Sequence, residues 1–349
     1  MGIFEQLPEL LLPWYHAYKR DLPWRKDKDP YHIWVSEIML QQTRVEAVKN
    51  YYLRFIAALP DVCALANVND DQLNKLWEGL GYYSRARNLK KAAQKIMTDY
   101  NGIFPREYDD VISLPGIGEY TAGAVCSIAY DLPVPAVDGN VLRIAARLLN
   151  DDTSVDLPAF KSKIRSQLKD VYPEEAGAFT QALMELGATV CGPNRKADCK
   201  MCPCCDVCLA QLKGTVDSLP VRSPKREKRK EALTVFILQC GDKYAIEKRP
   251  GKGLLAGLWQ FPNVPGKLAP QEALDRLEEY GLRPETKLKT VEREHVFTHI
   301  VWQMHGVYVK VKEIFGGFSW LTGEQIDAEA ALPTAFRQFW NIREVNENE

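Results

Sequence analysis

The spacing of hydrophobic residues in the first half of the chain is that of successive α-helices. It predicts helices at residues 31–39, 45–59, 70–80, 85–100, 140–149, 158–171 and 178–189. Asp29 and Pro30 supply an N-cap and a first-turn proline for the first of these, and Asn101 with Gly102 ends the basic helix at 85–100. No strand pattern precedes Cys208. The N-terminal region is therefore predicted to be all-helical.

The spacing changes to a two-residue alternation near residue 232. Leu233–Leu238 and Tyr244–Ile246 flank a Gly241-Asp242 turn, which predicts a β-hairpin. Further strands are predicted around residues 287–291 and 301–311, with helices at 271–280 and 333–342. We therefore predict an all-α domain at residues 1–212, a basic linker at 213–231 and an α+β domain at 232–349.

Composition indicates an ordinary globular protein. The 349 residues are 46% hydrophobic with a net charge of -1, so a nucleic-acid site would have to come from local clustering of charge. No apolar run reaches membrane-spanning length, and the N-terminus lacks the pattern of a signal sequence. We expect a cytoplasmic protein, nucleoid-associated in a bacterium, with no membrane partner.

Cysteines are concentrated in one short segment. Six of the nine fall between residues 191 and 208, which indicates metal ligation by thiolates and not a secreted disulfide framework. Four thiolates can hold zinc or an iron–sulfur cluster, and both remain open at this point. The six are Cys191, Cys199, Cys202, Cys204, Cys205 and Cys208.

A glycine-containing turn joins two helices at residues 114–118. Its sequence, Leu-Pro-Gly-Ile-Gly, matches the helix-hairpin-helix, in which backbone amides bind a DNA phosphate without reading base sequence. The alternative is a turn in an ordinary helical bundle.

Two carboxylates could carry chemistry. Asp138 precedes a helix, where backbone amides would keep its pKa low and leave it ionised to stabilise a developing cation. Glu37 lies between large apolar residues, where desolvation raises a carboxyl pKa and favours the protonated acid. The structural alternatives are a simple N-cap and a hydrogen-bonding residue on an apolar helix. An acid and an ionised carboxylate form the pair that glycosidic cleavage requires.

Five motifs in order resemble the MutY family of adenine DNA glycosylases, in the endonuclease III superfamily. They are Trp24-Arg25, residues 36–43 (SEIMLQQT), 77–85 (WEGLGYYSR), the turn at 114–118 and 137–141 (VDGNV). The resemblance covers nearly the whole chain. It implies a six-helix subdomain and a cluster-bearing subdomain, with the site in the cleft between them. It further implies a monomeric base excision repair enzyme that removes adenine mispaired with 8-oxoguanine or guanine in double-stranded DNA.

The resemblance implies four catalytic residues. Glu37 would protonate the extruded adenine, and Asp138, with Asn140 beside it, would stabilise the sugar cation or its covalent adduct. Tyr120 would assist close to the reacting sugar. It stands where bifunctional relatives have a lysine that forms a Schiff base, so a monofunctional glycosylase is implied. A thymine-glycol or mismatch glycosylase with lyase activity is the enzymatic alternative. A DNA-binding protein with structural zinc and no catalysis is the alternative from another class.

The resemblance also implies DNA contacts. Arg25 and Gln181 would contact the extruded base, whereas Gln42 and Tyr82 would enter the base stack to hold the gap open. Loop polarity and core packing are the structural alternatives for these last two. The remaining implied contacts are Thr43, Leu80, Gly116 and Gly118.

The cysteines resemble the ligand loop of the family's [4Fe-4S] cluster. Cys199, Cys202 and Cys208 have the usual gaps, but seven residues separate Cys191 from Cys199 where six are common. Cys191 is expected as the fourth ligand, with Cys204 or Cys205 as a possible substitute.

The C-terminal domain resembles a Nudix-type fold without the full glutamate box, which favours binding over pyrophosphate hydrolysis. Phe297, Thr298 and His299 match the loop that inspects 8-oxoguanine in this family, with Thr298 where serine is common. The alternative is a strand end packed under Trp302.

Overall fold

The computed structural model describes residues 2–193, 197–224, 227–284, 289–314 and 316–341. By packing, the chain forms two compact units, Met1–Val68 with Arg87–Pro224 and Asn69–Ala86 with Lys225–Glu349. The segment 69–86, which was predicted to lie in the N-terminal domain, groups by packing with the C-terminal residues. Ion pairs contribute to this grouping, because Glu78 pairs with Arg337 and the Lys248 ammonium lies 2.7 Å from Asp71 Oδ2.

Helices make up the N-terminal part, as predicted. Helices α1, α4 and α12 were not predicted, because α4 and α12 are short and Pro13 interrupts the pattern of α1. Within the described ranges, no helix is both long and apolar enough to cross a membrane. The bounds are α1 Leu7–Tyr18, α2 Pro30–Leu40, α3 Val45–Ala58, α4 Val62–Asn67, α5 Asp70–Leu76, α6 Ser84–Asp99, α7 Tyr108–Ile112, α8 Glu119–Tyr130, α9 Gly139–Leu149, α10 Pro158–Lys169, α11 Ala176–Thr189 and α12 Leu209–Lys213.

Helix α2 is buried along most of its length. The Asp29 carboxylate accepts a hydrogen bond from Tyr31 N at 2.8 Å and Pro30 occupies the first turn, which confirms the predicted start. Eight of the eleven residues of α2 are buried, Glu37 among them. The helix therefore carries a carboxyl group into an apolar environment.

The predicted hairpin joins α7 to α8. Gly116 has φ +78°, and a Cβ there would lie 2.5 Å from Asn88 Cβ, so the turn needs glycine at this position. Gly118 is the N-cap residue of α8, and a Cβ at this position would meet no described atom within 4 Å. The N-terminus of α8 is thus open to an approaching group.

The second unit is built on a seven-stranded sheet, described with order β3-β2-β1-β6-β5 and with β4 and β7 paired to β1 and β2. The predicted hairpin is confirmed, since β1 and β2 pair antiparallel across Gly241 and Asp242. The long β1–β6 pairing is parallel, from Arg229 opposite Ile300 to Gln239 opposite Lys310. The bounds are β1 Arg229–Cys240, β2 Lys243–Lys248, β3 Trp259–Gln260, β4 Asn263–Pro265, β5 Lys289–Val296, β6 Ile300–Lys310 and β7 Ser319–Thr322.

Helices cover both faces of this sheet. They are α13 Pro270–Glu279, α14 Gly323–Glu329 and α15 Thr334–Trp340. Val235 and Ile237 of β1 pack with α14 and α15, whereas Phe236 and Leu238 pack with α13, as the two-residue alternation predicts. Strand β1 begins three residues before residue 232, inside the predicted linker. Of the predicted elements, residues 287, 288 and 342 lie outside the described residues.

Candidate active site

A cavity of about 630 Å³ in the first unit brings together most of the predicted catalytic and base-contacting residues. Its walls come from the segment 20–25, α2 and the loop after it, α8, α10, α11 and the start of α9. Cavities of this size are typical of small-molecule sites. The predicted residues that line it are Arg25, Glu37, Gln42, Thr43, Tyr120, Asp138, Asn140 and Gln181.

Glu37 is a buried acid in this cavity. Only 5% of its surface is exposed, and this burial raises the pKa of its carboxyl to about 7. The nearby Asp138 carboxylate acts in the same direction, while a hydrogen bond from the Tyr120 hydroxyl to Glu37 Oε2, 2.7 Å long, acts against it. A large fraction of Glu37 is therefore protonated near neutral pH, as the sequence predicted.

Tyr120 connects this acid to the start of α8. Burial raises the pKa of its hydroxyl well above the ordinary value, and the Glu37 and Asp138 carboxylates raise it further. The hydroxyl therefore keeps its proton. It can donate to ionised Glu37 or accept from the protonated acid.

Asp138 is the N-cap of α9, as predicted, but its expected low pKa is wrong. Its Oδ1 accepts hydrogen bonds from the backbone amides of Asn140 and Val141 at 2.9 and 2.8 Å, and its Oδ2 accepts one from Asn140 Nδ2 at 2.7 Å. Desolvation by the surrounding residues outweighs these bonds and raises the pKa above the ordinary value. The pKa values of both Glu37 and Asp138 are therefore raised.

Sequence reasoning missed a buried ionic network beside these groups. Glu185, whose side chain is 1% exposed, accepts from Arg20 Nε at 2.6 Å and from Arg25 Nη2 at 2.8 Å. Although burial acts to raise it, these bonds hold the pKa of Glu185 below its usual range. The predicted base contact Arg25 is thus anchored. A glutamate within the apolar helix α11 was the available signal.

A second missed residue joins α9 to the cysteine-rich segment. Arg143 is buried and donates to Asn140 Oδ1 at 2.9 Å, to Gly187 O at 2.8 Å and to Cys191 O at 2.9 Å. The signal was again a charged residue in an apolar helix. Arg143 fixes the amide that faces Asp138.

The cysteine-rich segment surrounds a small cavity of its own. The Arg147 guanidinium, buried at its edge, donates to Cys191 Sγ at 3.2 Å and to Gly192 O at 2.8 Å. Among the described residues, no three His, Cys, Asp or Glu side chains are arranged to hold a metal ion. The donor set nevertheless suits an anionic iron–sulfur group, because Arg147 supplies a buried positive charge. The cavity is lined by Cys191, Cys199, Cys202, Cys204, Cys205 and Cys208.

The extra residue between Cys191 and Cys199 lies in a closed loop. An isolated antiparallel bridge pairs Cys191 with Ala197, and Asp198 N donates to Val190 O at 2.9 Å. Residues 194–196 of this loop lie outside the described ranges. The bridge brings the chain just before Cys199 back beside Cys191.

Both residues predicted to enter the base stack have left-handed backbones. Gln42 in the first unit has φ +59°, and Tyr82 in the second has φ +48°, a conformation that is costly for residues with a Cβ. Both side chains are exposed. Leu80, predicted to contact DNA, is instead only 6% exposed because it packs into the protein.

The predicted recognition loop is the turn between β5 and β6. Phe297 packs edge-on against Trp302 with 4.8 Å between ring centroids, which is the contact that the packing alternative describes. Thr298 and His299 are exposed. The Tyr82 hydroxyl lies 2.8 Å from Thr298 Oγ1, which joins two predicted DNA contacts within one unit.

Comparisons with known families confirm the predicted fold. Residues 35–174 match the family described as HhH-GPD superfamily base excision DNA repair protein, and residues 234–341 match the NUDIX domain. A solved thermostable thymine-DNA glycosylase is 28% identical with a TM-score of 0.55, covering 60% of this chain and 97% of its own. An endonuclease III–DNA complex, 23% identical with a TM-score of 0.51, covers 61% and 99% and supports the fold alone.

Sequence relatives extend across both units. The adenine DNA glycosylase of Rattus norvegicus is 34% identical over 401 residues, which cover 96% of this chain and 77% of the relative. That of Buchnera aphidicola subsp. Acyrthosiphon pisum is 32% identical over 308 residues, covering 88% and 87%. The chain carries the helix-hairpin-helix match first and the NUDIX match second, and these relatives align with both. The chain therefore belongs to the adenine DNA glycosylase (MutY) family of base excision repair hydrolases.

Proposed function

We propose that this enzyme removes adenine mispaired with 8-oxoguanine or guanine in duplex DNA by acid-assisted cleavage of the N-glycosidic bond. The observation that carries the proposal is the burial of Glu37 beside Tyr120 in a cavity that also contains Asp138. A carboxyl group with a pKa of about 7 can donate a proton at neutral pH.

The reaction follows from these groups. Glu37 transfers its proton to a ring nitrogen of the extruded adenine, and the glycosidic electron pair leaves with the base. The sugar becomes an oxocarbenium-like cation, which the ionised Asp138 stabilises. Water then adds to the sugar carbon and loses a proton, giving free adenine and an abasic site. Arg25 and Gln181, on the cavity wall, are proposed to hold the base.

We propose that the enzyme lacks lyase activity, because Tyr120 cannot form a Schiff base. Lys161 also lines the cavity, and its ammonium lies 3.7 Å from Glu119 Oε2. A duplex with adenine opposite 8-oxoguanine should give strand breaks only after alkali. Breaks without alkali would contradict the proposal, and their loss in Lys161→Ala would assign the lyase chemistry to this lysine.

Selection of 8-oxoguanine is assigned to the turn at Phe297, Thr298 and His299. 8-Oxoguanine differs from guanine by a carbonyl at C8 and a proton on N7, and a hydroxyl such as that of Thr298 can bond to either. The Tyr82–Thr298 contact supports this role, because it places the hydroxyl beside a residue proposed to enter the base stack.

Cys191, Cys199, Cys202 and Cys208 are proposed to hold a [4Fe-4S] cluster. When bound, the cluster ties the segment 191–208 together, and Arg143 connects the Cys191 backbone to Asn140. Purified protein should contain iron and sulfide at about four atoms each. Zinc in their place, or unchanged iron content in Cys191→Ser but loss in Cys204→Ser, would overturn this ligand set.

One assay tests the function. Single-turnover base release is measured on four duplexes, with adenine opposite 8-oxoguanine or guanine, and with thymine glycol or uracil opposite their usual partners. We expect release of adenine from the first two only. Release of thymine glycol would favour the lyase-type alternative, and no release from any duplex would favour a DNA-binding protein without catalysis.

A further inference from the structure

The loop that carries Tyr82 follows α5 and contains three left-handed residues in four positions. Gly79, Gly81 and Tyr82 have φ values of +98°, +70° and +48°. The left-handed backbone of Tyr82 costs free energy, which contacts of the loop must offset. Local contacts contribute, because Trp77 Nε1 and Arg85 Nη2 donate to Gly81 O at 3.0 and 3.1 Å. Further contacts come from residues about 250 positions later in the sequence, in the same compact unit.

Glu78 makes most of these contacts at the base of the loop. Its Oε1 accepts from Leu332 N at 3.1 Å and from the guanidinium of Arg337, and its Oε2 lies 2.8 Å from the Lys75 ammonium. The Glu78 side chain is only 18% exposed. Charge-assisted bonds in such a partly buried setting are stronger than those of exposed ion pairs.

The partners of Glu78 are themselves held in place. The Arg337 guanidinium also donates to Asp327 Oδ1 at 2.6 Å, and Trp340 Nε1 donates to the same oxygen at 2.8 Å. Lys75 Nζ donates to Ala330 O at 3.3 Å. Glu78 is therefore fixed by α14, α15 and the segment between them.

At its other end the loop meets the turn between β5 and β6, through the 2.8 Å contact of the Tyr82 hydroxyl with Thr298 Oγ1. This contact can orient the Thr298 hydroxyl. If Thr298 donates to Tyr82, the hydroxyl presents a lone pair outward, and if it accepts, the hydroxyl can present its proton. A shift of the loop would move Tyr82 and release Thr298 together.

We propose that Glu78 is a positioning residue for discrimination at the base opposite adenine. By fixing the loop to α15, Glu78 sets the position of Tyr82 and, through Tyr82, the orientation of the Thr298 hydroxyl. This inference rests on the proposed function of the turn in reading 8-oxoguanine. It assigns Glu78 no contact with DNA.

The test is a double-mutant cycle with Glu78→Gln and Arg337→Met, scored by the ratio of single-turnover rates on adenine opposite 8-oxoguanine and opposite guanine. Each single variant should lower this ratio about three- to tenfold, and the double variant no further, because both abolish the same ion pair between Glu78 and Arg337. Glu324→Gln, an exposed carboxylate in the first turn of α14, is the matched control and should keep the wild-type ratio.

A second readout separates positioning from loss of fold. 2-Aminopurine beside the 8-oxoguanine brightens when a side chain enters the stack, and Glu78→Gln should reduce the rise at saturating protein while the melting temperature of the protein changes little. An unchanged ratio and fluorescence rise in Glu78→Gln would overturn the inference. A wild-type enzyme with no preference for 8-oxoguanine would instead overturn the proposed role of the turn at residues 297–299. Lowered ratios that multiply in the double variant would show independent roles and refute the coupling.

Discussion

Polar side chains are buried in the cavity of the first unit and exposed in the turn at 297–299 of the second. In the cavity, Glu37, Tyr120 and Asp138 are desolvated, and all three pKa values are raised. In the turn, Thr298 and His299 face solvent. Burial changes the protonation state of a group and thereby its chemistry, whereas an exposed group retains its ordinary properties and acts through its position.

The difference predicts two kinds of mutational effect. Loss of a group in the cavity removes transition-state stabilisation and should cost orders of magnitude in rate. Loss of a group in the turn removes one hydrogen bond to a base that does not react, and should change the choice of substrate by a small factor. Four substitutions test this contrast.

The largest effect is expected for Glu37→Gln. Glutamine keeps the size of the side chain but cannot donate the acid proton, so single-turnover adenine release should fall by about 10³-fold or more. DNA binding, measured by fluorescence anisotropy, should persist. The matched control is Glu46→Gln on α3, an exposed glutamate paired with Lys49, which should release adenine at the wild-type rate. A Glu37→Gln enzyme within tenfold of wild type would remove the acid from the mechanism.

The second-largest effect on the rate of adenine release is expected for Asp138→Asn. The asparagine oxygen can still accept from the amides of Asn140 and Val141, so the cap of α9 is retained while the charge that stabilises the sugar cation is lost. Adenine release should fall about 10²- to 10³-fold, with little change in melting temperature.

The control for this substitution is another N-cap aspartate. Asp61 caps α4 by accepting from Ala64 N at 2.7 Å, and it is outside the cavity. Asp61→Asn should leave the rate unchanged and match Asp138→Asn in stability. If Asp138→Asn lost stability but kept its rate, Asp138 would be only a cap.

Glu37 and Asp138 could be predicted as candidates from the sequence because an acid and a carboxylate are what glycosidic cleavage requires, and each stands in a telling local context. The absence of lysine at position 120 gained its meaning only from the resemblance to the MutY family. The net shift of the Asp138 pKa could not be read in this way, because it is a balance between three hydrogen bonds and the desolvation caused by residues far away in sequence.

The contacts of the second unit were harder to predict. The alternation in β1 indicates a strand with two buried faces, but the parallel pairing of β1 with β6 joins segments 71 positions apart. The segment 69–86 contacts the C-terminal residues through pairs such as Glu78–Arg337, and each residue alone resembles an ordinary surface charge. Pairwise contacts at such separations leave no signal in a single sequence.

A smaller effect, on pH dependence, is expected for Tyr120→Phe. Glu37 is active when protonated, so kcat/KM for adenine release should decline about tenfold per pH unit above about pH 7. The Tyr120 hydroxyl donates to the carboxylate and so lowers the Glu37 pKa; its removal should raise that pKa and move the decline to higher pH.

The position of the decline, and not the maximal rate, is the quantity to compare, because Tyr120 is also proposed to act beside the sugar. Tyr130→Phe on the same helix is the control, since its hydroxyl donates to Phe104 O and is not part of the cavity wall. A decline that moved to lower pH in Tyr120→Phe would mean that the hydroxyl stabilises the protonated acid.

The smallest effect is expected at Thr298, where no protonation state is at stake. Thr298→Val removes the hydroxyl and keeps the shape, so the preference for 8-oxoguanine over guanine should fall about three- to fivefold, the amount expected for one solvent-accessible hydrogen bond. Thr298→Ser keeps the hydroxyl and should retain the preference. Phe297→Ala with His299→Ala should erode the preference more than the rate of cleavage.

Thr298 also decides whether the contrast between the two regions is correct. If Thr298→Val lowered the rates on both duplexes equally and by more than about a hundredfold, the hydroxyl would act in transition-state stabilisation, as the cavity residues do. If instead Thr298→Val and Glu78→Gln lowered the same ratio by similar factors, the loss at Glu78 would be explained by the contact of Tyr82 with Thr298, 2.8 Å long. Selection would then depend on the position of one exposed hydroxyl, and catalysis on the burial of one acid.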